Sequence, residues 1–266
     1  MTVADVWGWE VRRSDRPLRD FSVSSLIDQE TADLGIDVGA GGEIRFVAEA
    51  GSQTSKGDAV VCELRQHSST GESWTASEEG YLSASLSITA IPAGDDGADI
   101  AIAVARVHGA TGELAALVYD GRQLQLMTSH SSGGSRRKIA LTDAEGGLPL
   151  IALGERFDCF IRVNMTTIWV SVIHRGRTYL CSAETDGAWL RSPLHFSAGV
   201  CFDQEGSSGR AEAKFFSLAS PSLPRPSRHS SGRGRDIASA ELVVKLADGE
   251  RLTLPMAVPR SRHVRH

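Results

Sequence analysis

The 266-residue chain has no apolar run near the roughly 18 residues that a membrane-spanning helix requires. Its opening stretch, MTVADVWGWEVRR, lacks the apolar core of a secretory signal. No membrane partner is expected, and the cytoplasm is the default location, with secretion the alternative if a signal has been removed. Cysteine is sparse: Cys62, Cys159, Cys181 and Cys201 form no CxxC pair and do not cluster with histidine at zinc-ligand spacing. That argues against a metal site. Cys159 and Cys181 fall in neighbouring expected strands and could pair in an exported chain, although buried free thiols are the commoner state at this size. GxSxG, HExxH and GxxxxGK[ST] are all missing, which removes the serine-hydrolase elbow, the zinc-protease helix and the phosphate-binding loop. Asp203 and Glu205 invite comparison with a glycoside-hydrolase carboxylate pair, but the adjoining GSSG marks a solvated turn.

Helical periodicity is also scarce. Period-2 segments separated by Gly, Asp and Ser turns recur instead, and predict strands at 43–48, 59–66, 81–90, 99–108, 114–119, 123–128, 157–164, 167–174, 178–183, 194–203 and 211–218. So many short strands, with 41% hydrophobic residues to fill a core, imply an all-β sandwich or jelly roll. DG at 120–121 and RG at 175–176 stand where hairpins should turn. Residues 129–138, SHSSGGSRRK, read as a polar, basic loop.

Charge divides the chain unevenly. From residue 221 onward there are nine Lys/Arg against four Asp/Glu, a net of +5, which leaves −10 of the overall −5 on residues 1–220. An acidic body does not favour nucleic acid as a partner. The expected organisation is an N-terminal segment at 1–24, one large domain at 25–220, a Pro/Ser/Arg-rich linker at 221–236, an extra hairpin at 237–258 and a basic tail at 259–266. The oligomeric state is not legible.

The segment VVCELRQ at 60–66 carries charge inside an otherwise buried-looking strand. Alternation puts Val61, Glu63 and Arg65 on one face and Cys62 and Leu64 on the other. The charged face is either a surface ion pair, worth little, or a set of polar groups meeting a ligand.

CELRQ (62–66), VARVHG (104–109) and LHFSAGVCFDQ (194–204) resemble, in order and spacing, the three signatures of family-seven polysaccharide lyases, the alginate lyases. Those signatures read approximately R-[ST]-E-[LV]-R, Q-[IV]-H and Y-F-K-x-G-x-Y. GAWLRSPLHFSAG (187–199) is similar to the family's Trp-containing approach to its third signature, and AEAKFFSLA (211–219) to its closing strand. The resemblance spans about residues 25–220. It implies a concanavalin-like β-jelly-roll sandwich with a concave substrate groove, an acidic polysaccharide or oligosaccharide as partner, and β-elimination at a uronic acid without metal or organic cofactor. Such chemistry needs neutralisation of the carboxylate, a base for the α-proton and an acid for the leaving oxygen.

Matched residue by residue, Glu63, Arg65 and His108 agree with the signatures. The first arginine falls on Val61, the glutamine on Arg106, the lysine on Ser197 and the tyrosine on Cys201. The resemblance then implies Arg106 with Arg65 holding the carboxylate, His108 taking the C5 proton, Glu63 orienting Arg65, Ser197 lining the groove, and Cys201 or Tyr119 near the leaving oxygen. An arginine clamps a carboxylate better than an amide does, whereas a cysteine reaches less far than a tyrosine and is a weaker donor. Two readings stay open: a lyase acting on alginate or another polyuronate, and a catalytically silent carbohydrate-binding or structural jelly roll derived from one.

Overall fold

The structure, a computed structural model, describes residues 9–13, 16–19, 35–51, 59–66, 74–110, 112–129, 135–203, 206–220, 240–245 and 251–256. Strands numbered in chain order build two antiparallel sheets. The eight-stranded sheet runs, side by side, β11 (Arg136–Ala140), β10 (Leu124–Ser129), β9 (Gly112–Tyr119), β8 (Ile102–Gly109), β15 (His195–Asp203), β5 (Ala59–Gln66), β1 (Trp9–Arg13) and β2 (Arg16–Arg19). The seven-stranded sheet runs β14 (Arg177–Glu184), β13 (Thr167–His174), β12 (Arg156–Asn164), β6 (Gly80–Ala90), β17 (Arg210–Ala219), β4 (Ile44–Glu49) and β3 (Ile36–Val38). A short pair, β7 (Ala93–Gly94) with β16 (Ser207–Ser208), forms a separate two-stranded sheet.

The two sheets share one core because each strand sends alternate side chains inward. On β12, Phe157, Cys159, Ile161 and Val163 are buried while Asp158, Phe160 and Arg162 lie on the other side. Phe46 of β4 meets Phe215 of β17 edge-on at 5.2 Å. Burying each such aromatic stabilises the fold by about 1.5–3 kcal/mol. The β13–β14 hairpin closes on Arg175 and Gly176 with φ of 52° and 74°, the two-residue turn whose twist matches the strands.

Three expectations need correction. The sheet does not begin near residue 25: β1 pairs along the whole of Trp9–Arg13 with β5, and Trp9 and Val11 enter the core. Part of the basic stretch 129–138 is strand, with Arg136–Ala140 paired to β10 at the sheet's edge, where charged side chains suit an unpaired ladder. Cys159 and Cys181 are separated by β13, facing Val172 and Val170 respectively, and none of the four cysteines is in a disulfide; burial raises the Cys159 and Cys181 thiols to about 12. The chain divides into two compact units, residues 1–223 and 224–266. In the second, β18 (Ala240–Lys245) pairs with β19 (Arg251–Met256) where the extra hairpin is expected. The linker, the final tail and Glu205 lie outside the described residues.

Candidate active site

On β5, Val60, Cys62 and Leu64 belong to the core, so Val61, Glu63 and Arg65 take the outer face of the eight-stranded sheet. On β8 an irregularity between Ala103 and Ala105 leaves Val104 and Ala105 both in the core and resets the phase, so Arg106 and His108 fall on this outer face, and alternation brings Ser197 and Cys201 of β15, the strand between β8 and β5, there as well. Register sets their order. His195 lies opposite His108; Ser197 lies opposite both Arg106 and Arg65; Gly199 lies opposite Glu63; Cys201 lies opposite Val61 and Ala103.

Glu63 and Arg106 are two strands apart, yet their side chains meet over β15. Arg106 donates to Glu63 Oε2 from Nε at 3.1 Å and from Nη2 at 2.5 Å. Gly199 leaves the space for this: with φ of +151°, a Cβ there would sit 2.4 Å from the Cys62 carbonyl oxygen and 2.8 Å from Glu63 Cβ. Arg106 also reaches Glu113 of β9 at 3.4 Å, and Arg12 of β1 approaches Glu63 Oε1 at 3.5 Å. Burial is the largest single influence on the Arg106 pKa and lowers it, but the Glu63 charge and hydrogen bond, with Cys201 and Glu113, together outweigh it and the guanidinium is held above its usual value. Glu63 and Arg106 are both nearly inaccessible; a buried pair of this kind adds little net stability, but removing one partner costs about 3–5 kcal/mol.

This network revises two expected roles. Glu63 orients Arg106 rather than Arg65, and Arg106 is held by two carboxylates beneath the site instead of standing free as a clamp. Among the described residues no carboxylate lies within ion-pairing distance of Arg65. Burial, then the Arg12 charge, lower the Arg65 pKa, with Glu63 raising it and Arg106 lowering it further. Arg65 is therefore a cation crowded by like charge and only partly offset.

His108 bonds through Nε2 to Ser197 Oγ at 3.2 Å, and its ring stacks on His195 with centroids 5.2 Å apart and planes 13° from parallel. Burial, then Arg106, His195, Arg12 and Arg65, hold His108 far below the ordinary imidazole value. His195 is lowered to about 3 by burial, then by Arg65, Arg12 and Arg106. Both rings are neutral near pH 7. Tryptophans fix this end of the sheet. Trp189, on the 3-10 turn Gly187–Arg191, packs so closely on Gly109 that a Cβ there would lie 2.4 Å from its ring. Trp74 stacks on Phe196 at 4.9 Å and donates to Gln66 at 3.1 Å.

Three further candidates are placed differently from expectation. Tyr119 points into the core, where its hydroxyl donates to the carbonyls of Ile151 at 2.7 Å or Gly121 at 2.9 Å, because β9 alternates in phase with Leu117. Ser197 is fully buried and holds His108 rather than lining a groove. Cys201 stands six residues from His195 along β15, on the order of 20 Å of extended strand. Burial raises its thiol to about 11 despite the opposing Arg106 charge, so it is neither a thiolate nor near His108 in register. Among the described residues no group of three or more His, Cys, Asp or Glu is arranged to hold a metal, and no helix is long and apolar enough to cross a membrane.

Sequence reasoning missed Arg12, His195 and Glu113. Arg12 lay in a stretch assigned outside the domain. His195 occupies the first position of the third signature, two residues before Ser197 and so on its face, and that spacing was signal enough to find it. Glu113 has no local sign, since it becomes a partner of Arg106 only when β8 and β9 pair.

A model of the alginate lyase family matches residues 21–220, three quarters of the chain. The chain belongs to the alginate lyase family. Its function is accordingly that of a polysaccharide lyase, cleaving an acidic uronic-acid polymer such as alginate by β-elimination. Solved alginate lyases share the jelly roll. The family 7 enzyme A1-II′, crystallised with product, matches with TM-score 0.65 and 21% identity over 82% of this chain and 96% of that one. The enzyme from Klebsiella pneumoniae matches with TM-score 0.67 and 17% identity over 80% and 95%, and that from Pseudomonas aeruginosa with 0.64 and 24% over 82% and 99%. No curated protein sequence matches the chain.

Proposed function

We propose that the outer face of the eight-stranded sheet is the floor on which a polyuronate binds, with Arg65 and Arg12 receiving the uronate carboxylate and His108 removing the C5 proton. The observation that carries this reading is the incompletely balanced positive charge beside a neutral histidine. Arg12, Arg65, Arg106 and, from the edge strand, Arg136 converge on this region, and the carboxylates among them, Glu63 and Glu113, are engaged by arginines. A cationic floor in an otherwise acidic chain suits a polyanion. A doubly substituted form of family 7 alginate lyase A1-II′ has been crystallised in complex with substrate (GGMG), which supports an oligosaccharide as the ligand class.

In the reaction, Arg65 and Arg12 neutralise the carboxylate so that charge developing on it after proton loss is stabilised. His108 enters neutral. With Nε2–H donated to Ser197 Oγ, its Nδ1 lone pair takes the C5 proton; the C4–O4 bond breaks, and a C4=C5 double bond remains in the product. Arg106 and Glu63 support the floor from below and touch no reacting atom.

The test is the ultraviolet absorbance of unsaturated uronate on incubation with alginate, glucuronan and related polymers across pH 5–9. Wild type is expected to generate it. His108→Asn is expected to lose about 10²–10⁴-fold in turnover, and Arg65→Ala to lower kcat as well as raise KM, because the guanidinium both seats the carboxylate and stabilises the charge that develops on it. No product from wild type on any polymer would sink the reading.

A further inference from the structure

Elimination needs an acid as well as a base, and the position at which family members carry tyrosine holds Cys201, whose thiol is short, neutral and displaced along β15 from His108. Tyr119 is committed to the core and Ser197 to His108. We propose that His195 is the proton donor to the leaving glycosidic oxygen, and that His195 and His108 act together on uronates whose C5 hydrogen and O4 leave from the same face of the ring. This assignment rests on the lyase reading above.

The geometry carries it in three steps. First, His195 on β15 and His108 on β8 are direct cross-strand partners with stacked rings, 5.2 Å between centroids. Both rings are partly exposed on the same face of one sheet. The two bonds broken in the reaction belong to adjacent carbons of one sugar, so an acid and a base one ring apart can serve both. Second, a polymer lying on this floor presents one face of each ring to both histidines. The hydrogen at C5 and the oxygen at C4 must then both point downward. Mannuronate and glucuronate have that arrangement; guluronate, inverted at C5, does not.

Third, the protons balance. Two stacked imidazoles disfavour a double positive charge, so the pair works with one proton. The step starts with that proton on His195 and His108 neutral. His195 gives its proton to O4 as the C4–O4 bond breaks, His108 receives the one from C5, and the pair still carries a single proton. The groups facing His195 are Arg65 from β5, Arg12 from β1, and Arg106 and His108 from β8, with Glu63 and Glu113 occupied by arginines. These cations keep the pair unprotonated in the free protein. A carboxylate seated on Arg65 and Arg12 offsets them, so the pair takes up its proton together with the substrate.

A leaving-group comparison tests the assignment, because an acid is needed for a sugar alkoxide and not for a dinitrophenolate. The full chain and the variants His195→Asn, His195→Gln and His108→Asn are assayed on polymannuronate, glucuronan and polyguluronate, and on a uronoside bearing 2,4-dinitrophenol at O4. Both His195 variants are expected to lose about 10²–10⁴-fold on the polymers and to release dinitrophenolate at a rate near that of wild type, which also reports that they are folded. His108→Asn should lose both activities. Equal losses on polymer and activated substrate in the His195 variants, or no loss on either, would overturn the acid assignment. A preference for polyguluronate would overturn the same-face stereochemistry. Wild type inactive on every substrate would overturn the lyase reading, and this assignment with it.

Discussion

His108 and His195 stand where burial and three arginines all act against protonation. An unfolded chain binds a proton on each imidazole below pH 6.5, whereas folded His195 refuses one until about pH 3, and His108 is displaced in the same direction. The unfolded state therefore binds more protons throughout that interval, and stability must fall as pH falls through it, with no penalty above pH 6.5. Replacing His195 with phenylalanine, which keeps the ring stack and removes the titration, is expected to reduce the slope of stability against pH between 6.5 and 4. Urea unfolding at a series of pH values checks this, and a variant with the wild-type slope would show that His195 is not depressed.

Strand β15 is the element that holds the site together, because it lies between the two strands supplying Glu63 and Arg106 and carries three different solutions at successive outward positions. His195 is partly exposed on the outer face, Ser197 is buried to hold His108, and Gly199 is bare so that Glu63 can cross above it. Gly199→Ala is expected to destabilise the fold by about 1–3 kcal/mol, the usual cost of forcing extra volume into a packed site. It should also weaken substrate turnover, since the displaced Glu63 releases Arg106. Denaturation and kinetics measured together check both effects; unchanged stability would mean that the Glu63–Arg106 bridge does not depend on the missing Cβ.

At the scale of the molecule, the family match ends at residue 220 and the first compact unit ends at 223. All the residues assigned to the reaction lie within that unit. A chain ending at residue 223 is expected to unfold cooperatively and to keep wild-type kcat on its polymer. Calorimetry and the unsaturated-product assay test this, and loss of activity in a folded truncated chain would assign residues 224–266 a part in catalysis.

Alternation and turn chemistry were enough to read the all-β class and most strands of the two sheets, because inward and outward positions are written locally in period two. They were also enough to put Val61, Glu63 and Arg65 on one face. The strand at 9–13 and the edge strand at 136–140 escaped because their charges resemble those of a terminal segment and a loop, and only pairing with β5 and β10 makes them strands. Which partner each charge takes was beyond local pattern altogether. Glu63 and Arg65 are two residues apart in sequence, but Glu63 bonds Arg106, 43 residues away, because the strand order β8–β15–β5 and a glycine between them bring those groups together. Tyr119 was offered to the site by its chemistry and withdrawn by the phase of β9. His195 gained its neighbour only when β15 settled against β8, since cross-strand register, and not sequence distance, decides which side chains touch.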